Sequence, residues 1–108
     1  MQREETLTTT DHQGYLADPQ CWCVAFAQAT AAQEGLVLTP AHWEVLYFLR
    51  DFYQQYHTSP AMRLLVKAWQ QRYGAEKGTS HYLYALFPRG PAQQGSKIAG
   101  LPKPVKCL

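Results

Sequence analysis

Thr39-Pro40-Ala41-His42-Trp43-Glu44-Val45-Leu46-Tyr47-Phe48-Leu49-Arg50-Asp51-Phe52-Tyr53-Gln54-Gln55-Tyr56 is the stretch that decides the fold. Thr39 followed by Pro40 is a helix start. The threonine hydroxyl can accept from the orphan N–H groups of the first turn, and the proline already has a helical φ. Val45, Phe48, Leu49, Phe52, Tyr53 and Tyr56 then recur at i, i+3, i+4, i+7, i+8 and i+11, which makes one continuous apolar face. Arg50, Asp51, Gln54 and Gln55 lie on the other side. The spacing predicts a long helix that must bury this face against neighbours.

The neighbours are read in the same way. Downstream, Ser59-Pro60 is a second start of this kind, with Met62, Leu65, Val66, Trp69 and Tyr73 as a buried stripe and Gly74 as its end. Residues 77–87 read as a short helix through Tyr82, Leu83, Leu86 and Phe87, stopped by Pro88. Gly90-Pro91 opens a last helix that runs to about Ala99. Upstream, Asp18-Pro19 reads as cap and first helical residue, followed by Trp22, Ala25, Phe26 and Ala29, with Gly35 as the stop. Before it, Glu5-Thr6-Leu7-Thr8-Thr9 has β-propensity, and Thr10-Asp11-His12-Gln13-Gly14 is a turn leading into Tyr15-Leu16. The expectation is an α+β fold, mostly helical, with a small N-terminal β-meander packed on about five helices and a flexible C-terminal arm. All 108 residues form one domain in this reading: residues 1–17 the meander, 18–100 the helical body, 101–108 the arm.

Composition narrows the function. Hydrophobic residues make up 46% and charged residues 17%, a globular balance. A net charge of +2 is too small to imply a nucleic-acid-binding surface. The apolar runs fall well short of the ~20 residues of a membrane span. The first ten residues are polar with mixed charge, unlike a signal peptide. Three cysteines, two of them at Cys21 and Cys23, imply no disulfide framework. The reading is a cytoplasmic protein with free thiols.

The chemistry sits in Gly100-Leu101-Pro102-Lys103-Pro104-Val105-Lys106-Cys107-Leu108. Gly100 is a helix stop and a hinge. Pro102 and Pro104 stiffen the chain into an extended form, so residues 101–107 span about 20 Å. A thiol at the end of a stiffened arm suits delivery of sulfur into another protein's active site. Lys103 and Lys106 favour the thiolate and are candidate partner contacts. The periodic apolar faces end by Ile98, so the arm is expected to add little to the core. Cys21 and Cys23 read as ordinary small residues on opposite sides of a helix and not as half of a zinc site, which needs further ligands. His42, His57 and His81 read as capping or surface residues, and Glu34, Glu44, Asp51 and Glu76 form no paired-acid pattern. The helical hairpin of residues 39–73 has the outline of a helix-turn-helix. Its second helix, however, begins with Pro60-Ala61-Met62, which offers nothing to a base edge, so stable duplex DNA binding is not expected.

These residues together resemble the DsrC/TusE family. The resemblance covers residues 14–108, including Leu38-Thr39-Pro40-Ala41-His42-Trp43-Glu44-Val45, Phe48-Leu49-Arg50-Asp51-Phe52-Tyr53, Leu86-Phe87-Pro88, Gly90-Pro91-Ala92 and Lys97 through Cys107. It implies a β-meander against a helical bundle with a mobile arm. The branch with two arm cysteines has its second one where Ser96 stands here, so the resemblance is to the single-cysteine branch. That branch implies a sulfurtransferase whose Cys107 carries a persulfide, taken from a TusBCD-like donor complex and passed to an MnmA-like thiouridylase for 2-thiolation of the wobble uridine of tRNA. No cofactor and no metal are implied. The alternatives are a single-cysteine relative serving dissimilatory sulfur metabolism, or a helix-turn-helix regulator.

Overall fold

The computed structural model describes residues 9–104. Among them the chain forms five α-helices: α1 (Val24–Gln33), α2 (Pro40–Tyr56), α3 (Met62–Lys77), α4 (Ser80–Leu86) and α5 (Pro91–Ile98), preceded by a 3-10 turn at Pro19–Cys21. None of these helices is long and apolar enough to cross a membrane.

Helix α2 is built as its sequence dictates. Thr39 Oγ1 accepts from the His42 amide, and the Thr39 amide donates to His42 Nδ1, closing a reciprocal cap. The other ring nitrogen of His42, Nε2, lies 2.8 Å from the Leu86 carbonyl oxygen and donates to it, so the imidazole also ties α2 to the end of α4. Val45, Leu46 and Leu49 are fully buried, Phe52 is nearly so, and Tyr56 reaches solvent. The next helix, α3, breaks its helical path at Gly74 (φ 85°) and resumes to Lys77, whose carbonyl accepts the Trp69 indole N–H at 2.9 Å. Trp69 itself is fully buried, with Phe48, Tyr73 and Tyr82 around its ring.

The centre of the fold is the short helix α5, which packs against each of the other four. Pro91, Ala92, Gln94, Gly95, Ser96 and Ile98 are all buried in it. Ala92, Gly95, Ser96 and Ala99 form a stripe of small residues at i, i+3, i+4 and i+7. A Cβ added at Gly95 would lie 2.9 Å from Leu49 Cδ1 of α2, so the two helices approach more closely than any larger residue would allow.

Three expectations are corrected. The N-terminal β-meander is absent from the described residues, where the only β feature is an isolated antiparallel bridge between Thr10 and Leu16. The Asp11 carboxylate accepts from the amides of Gln13 and Tyr15, and Gly14 donates to the Asp11 carbonyl, so residues 11–15 form a turn braced by the aspartate side chain. Tyr15 and Leu16 are consecutive yet both buried, whereas a half-buried strand would alternate. Residues 5–8 of the expected meander lie outside the described residues. Among the described residues the fold is therefore mostly helical, without the sheet of an α+β fold.

Asp18-Pro19 caps a 3-10 turn instead of α1. Asp18 accepts from the Gln20 amide at 3.0 Å as a cap should, but Trp22 and Cys23 are extended and α1 starts at Val24. Its buried residues are Ala27, Thr30 and Ala31, while Ala25 and Ala29 face solvent. Trp22 has left the helix to pack elsewhere, and the apolar register read through it fails.

The third correction concerns the arm. Leu101 is 1% exposed and belongs to the hydrophobic core. Gly100 (φ 74°) ends α5 in a Schellman turn: the Leu101 amide donates to the Ser96 carbonyl at 2.9 Å and the Gly100 amide to that of Lys97 at 3.3 Å. This turn folds Leu101 back into the core, so Gly100 stops the helix but directs the chain inward. Leu101→Ala should therefore destabilise the protein by about 2–5 kcal/mol and lower the thermal midpoint by roughly 8 °C or more. A loss below ~0.5 kcal/mol in denaturant titration would show that the arm begins before Leu101.

Candidate functional site

Cys107 and Lys106 lie outside the described residues. The structure describes the base from which they extend, residues 98–104, and the body around it.

Three side chains hold this base. Arg50, assigned to a solvent face by the α2 pattern, instead reaches across the fold and donates to two carbonyls, Ala99 at 2.7 Å through Nη1 and Pro19 at 3.0 Å through Nη2. Burial lowers its pKa without removing the charge. Its guanidinium also sits 4.4 Å above the Trp22 ring. The Trp22 indole N–H donates to the Ile98 carbonyl at 2.9 Å, and the ring lies directly on Gly100, where an added Cβ would clash with Trp22 Cδ1. Ser59, only 5% exposed, donates its hydroxyl to the Pro102 carbonyl at 2.6 Å. Beyond it Lys103 is exposed and Pro104 is buried. The sequence reading missed these four hydrogen bonds, because each joins residues more than thirty positions apart.

On a second side of α5 a carboxylate gathers cations. Glu34 Oε2 accepts from Lys97 Nζ at 2.9 Å and Glu34 Oε1 from Gln94 Nε2 at 3.0 Å, with Arg89 at 3.9 Å. The Lys97 hydrogen bond, with help from Gln94, Lys97 and Arg89, holds the Glu34 carboxyl below the usual carboxylate range against the cost of burial. These groups line a shallow polar pocket of about 280 Å³, and Lys103 of the arm completes it. Lys103 thus sits beside the base of α5, in a basic neighbourhood that Glu34 partly offsets.

Ser96 lies on the small-residue stripe of α5. It is fully buried and its Oγ has no hydrogen-bond partner. Cys21 is half-buried in the 3-10 turn, with its thiol pushed up in pKa by burial and by Asp18. Cys23 is exposed at the N-cap of α1 and makes no side-chain cap. Among the described residues no group of three or more His, Cys, Asp or Glu side chains is placed to hold a metal ion.

Comparison with known proteins places the chain. The family model described as DsrC like protein matches residues 2–108. A relative from Pectobacterium atrosepticum named Sulfurtransferase TusE is 63% identical over 99 residues, 92% of this chain and 91% of that one. The relative of the same name from Yersinia pseudotuberculosis is 58% identical over the full length of both. Among solved structures, DsrC from Allochromatium vinosum superposes with a TM-score of 0.84 at 46% identity, covering 92% of this chain and 88% of that one. The oxidized gamma-subunit of the dissimilatory sulfite reductase from Archaeoglobus fulgidus gives 0.78 at 35%, covering 94% and 92%.

Two outcomes follow from these contacts. Ser96→Ala should be neutral or stabilising by up to about 2 kcal/mol, since it removes a buried hydroxyl without a partner. A loss above ~1 kcal/mol in thermal unfolding would mean that the hydroxyl is bonded. Glu34 has a depressed folded-state pKa, so its stabilisation is present above the unfolded carboxylate pKa and is lost as pH falls through the folded one. Glu34→Gln should cost about 1–2 kcal/mol at pH 7, and the gap from the native protein should close below about pH 4. A gap independent of pH between 3 and 7 would show that the charge is not what Lys97 holds.

Proposed function

Because the chain belongs to the DsrC-like protein family, we propose that it is a sulfurtransferase that carries sulfur as a persulfide on Cys107, receiving it from a TusBCD-like donor complex and passing it to an MnmA-like thiouridylase for 2-thiolation of tRNA. The observation that carries this reading is the full-length match, at 58% identity, to a relative named Sulfurtransferase TusE. The residue pattern supports it independently. Cys107 follows a proline-stiffened arm with lysines at 103 and 106, and Ser96 stands where a second thiol would close a disulfide.

The step itself is a thiolate displacement. The Cys107 thiolate attacks the sulfane sulfur of the donor persulfide, a new S–S bond forms at Cys107, and the donor's S–S bond breaks to release the donor cysteine as a thiolate. The sulfane sulfur keeps its proton or charge, so no net oxidation occurs and no cofactor is needed. Delivery to the thiouridylase is the same displacement with this chain as donor. A hydroxyl at Ser96 cannot displace the persulfide, so the sulfur stays on the arm until a partner thiol takes it. The protein works as a single cytoplasmic domain in this reading.

The second reading, a carrier in dissimilatory sulfur metabolism, is favoured by the superposition on the Allochromatium vinosum DsrC. Both readings place the sulfur on Cys107. They separate on whether loss of the gene removes 2-thiouridine from tRNA or stops growth on reduced sulfur.

Intact-mass analysis after exposure to a persulfidated donor should show one adduct of ~32 Da that maps to Cys107, and Cys107→Ser should abolish it with the fold unchanged, because a serine hydroxyl is not ionised at neutral pH. An adduct that persists in that variant, or that maps to Cys21 or Cys23, would overturn the assignment.

A further inference from the structure

The transfer step uses a thiolate and nothing else from this chain, yet Trp22, Arg50 and Ser59 are all committed to the backbone just ahead of it. Arg50 links the Ala99 and Pro19 carbonyls, Trp22 bonds the Ile98 carbonyl and lies on Gly100, and Ser59 bonds the Pro102 carbonyl. Each fastens a different body element to a successive residue of the α5 exit: the 3-10 turn and α2 to Ile98, Ala99 and Gly100, and the loop before α3 to Pro102. Carbonyls near a chain terminus are ordinarily left to water. Here Ile98, Ala99 and Pro102 each receive a side-chain donor, and the two side chains at Leu101 and Pro104 are buried.

We propose that Trp22, Arg50 and Ser59 are positioning residues for sulfur transfer: they clamp residues 98–102 to the body, so that the tether to the thiol begins at Pro104 and not at the core-held Leu101. The inference rests on the reading of Cys107 as the carrier. Pro104 to Cys107 is three residue steps, at most about 10 Å of extended chain, whereas the core-held Leu101 to Cys107 is six steps, at most about 20 Å. A short tether concentrates the thiol near its anchor. Lengthening it from three steps to six dilutes the thiol at a docked partner's active site roughly threefold, as the −3/2 power of length. The clamp therefore also constrains the partner. The persulfide that Cys107 attacks must be presented close to the surface formed by the α5 exit, Ser59 and Lys103.

The clamp predicts a difference between donors. A small donor reaches the thiol wherever the tether points, and a protein donor does not. The experiment uses the full chain in a Cys21→Ser, Cys23→Ser background and follows the Cys107 adduct in time with two donors, sodium polysulfide and the persulfidated donor complex. Ser59→Ala removes one hydrogen bond, and Arg50→Gln releases the Ala99 and Pro19 carbonyls. Both variants should react with polysulfide at the native rate. Both should lose threefold or more in kcat/KM with the protein donor, up to about a hundredfold if the thiol is misdirected as well as loosened. A nitroxide on Lys103→Cys, with Cys107→Ser added, reads the clamp directly and should give sharper, more mobile lines in Ser59→Ala. Should Arg50→Gln fail to fold, Ser59→Ala decides alone. Native transfer from the protein donor together with an unchanged nitroxide spectrum in Ser59→Ala overturns the proposal. Absence of any adduct on native Cys107 overturns the carrier reading instead, and the nitroxide spectra then still decide whether the clamp exists.

Discussion

The structure depends on how closely α5 can approach its neighbours. An eight-residue helix is too short to be stable by itself, so its stability comes from packing. It sits among four other helices, and only small residues let that happen. Gly95 faces Leu49 at a distance that leaves no room for a Cβ, and Ala92, Ser96 and Ala99 continue the same narrow stripe. This places the end of α5 at the centre of the body, with a fixed direction of exit. The Schellman turn at Gly100 then sends Leu101 inward, where burial of a leucine side chain is worth about 1.5–3 kcal/mol. The arm thus starts from the core and not from a frayed surface helix.

Charge plays a graded part in holding this arrangement. The Lys77–Glu44 pair joins α3 to α2 at 2.9 Å, but its side chains are 42% and 34% exposed, and such a pair contributes well under 1 kcal/mol. Glu34 is different. Its side chain is 13% exposed, and it accepts from Lys97 and Gln94 of α5, so two hydrogen bonds to a charged acceptor are shielded from water. Lys97 in turn packs against Gly14, where an added Cβ would lie 2.7 Å from its Cε. The Tyr15 hydroxyl donates to the Gln93 carbonyl at 3.3 Å on the same side. One carboxylate and one helix therefore fasten the N-terminal turn, the end of α1 and the base of the arm together.

What the sequence made legible was whatever local rules decide. The cap at Thr39, the proline after it, the apolar face of α2 and the glycine stops at Gly35 and Gly100 all act within one or two helical turns, and all appear where the residues place them. What it hid was decided by contacts between distant residues. Asp18-Pro19 obeys its local rule and forms a cap, but Trp22 gains more from the Ile98 carbonyl, Gly100 and Arg50 than from continuing a helix, so α1 starts later. The stretch around Thr9 and Thr10 has strand propensity, yet among the described residues it forms a single bridge, Thr10 to Leu16, beside the turn at Asp11. Arg50 is polar, and helical periodicity assigns polar residues to solvent. Only the fold reveals two backbone carbonyls within its reach. Leu101 looked like the first residue of an arm because no periodic partner follows it. Its partner is the core itself, reached through a turn that periodicity does not register.

The same division bears on sulfur chemistry. A persulfide is reactive toward any thiol it meets, so a carrier must keep it from its own cysteines while keeping it open to a partner's. Cys21 is half-buried in a turn, and its raised pKa leaves less of it as thiolate, the form that attacks. Cys23 is exposed. Six residue steps separate the core-held Leu101 from Cys107, at most about 20 Å of chain, against body extents of 27 Å and 21 Å across its shorter axes. Three steps separate Pro104 from Cys107, at most about 10 Å. In the proposed reading, anchoring residues 98–102 to the body does two things at once for a thiol that carries sulfur. It narrows where a partner must dock, and it narrows what the persulfide can reach before that partner arrives.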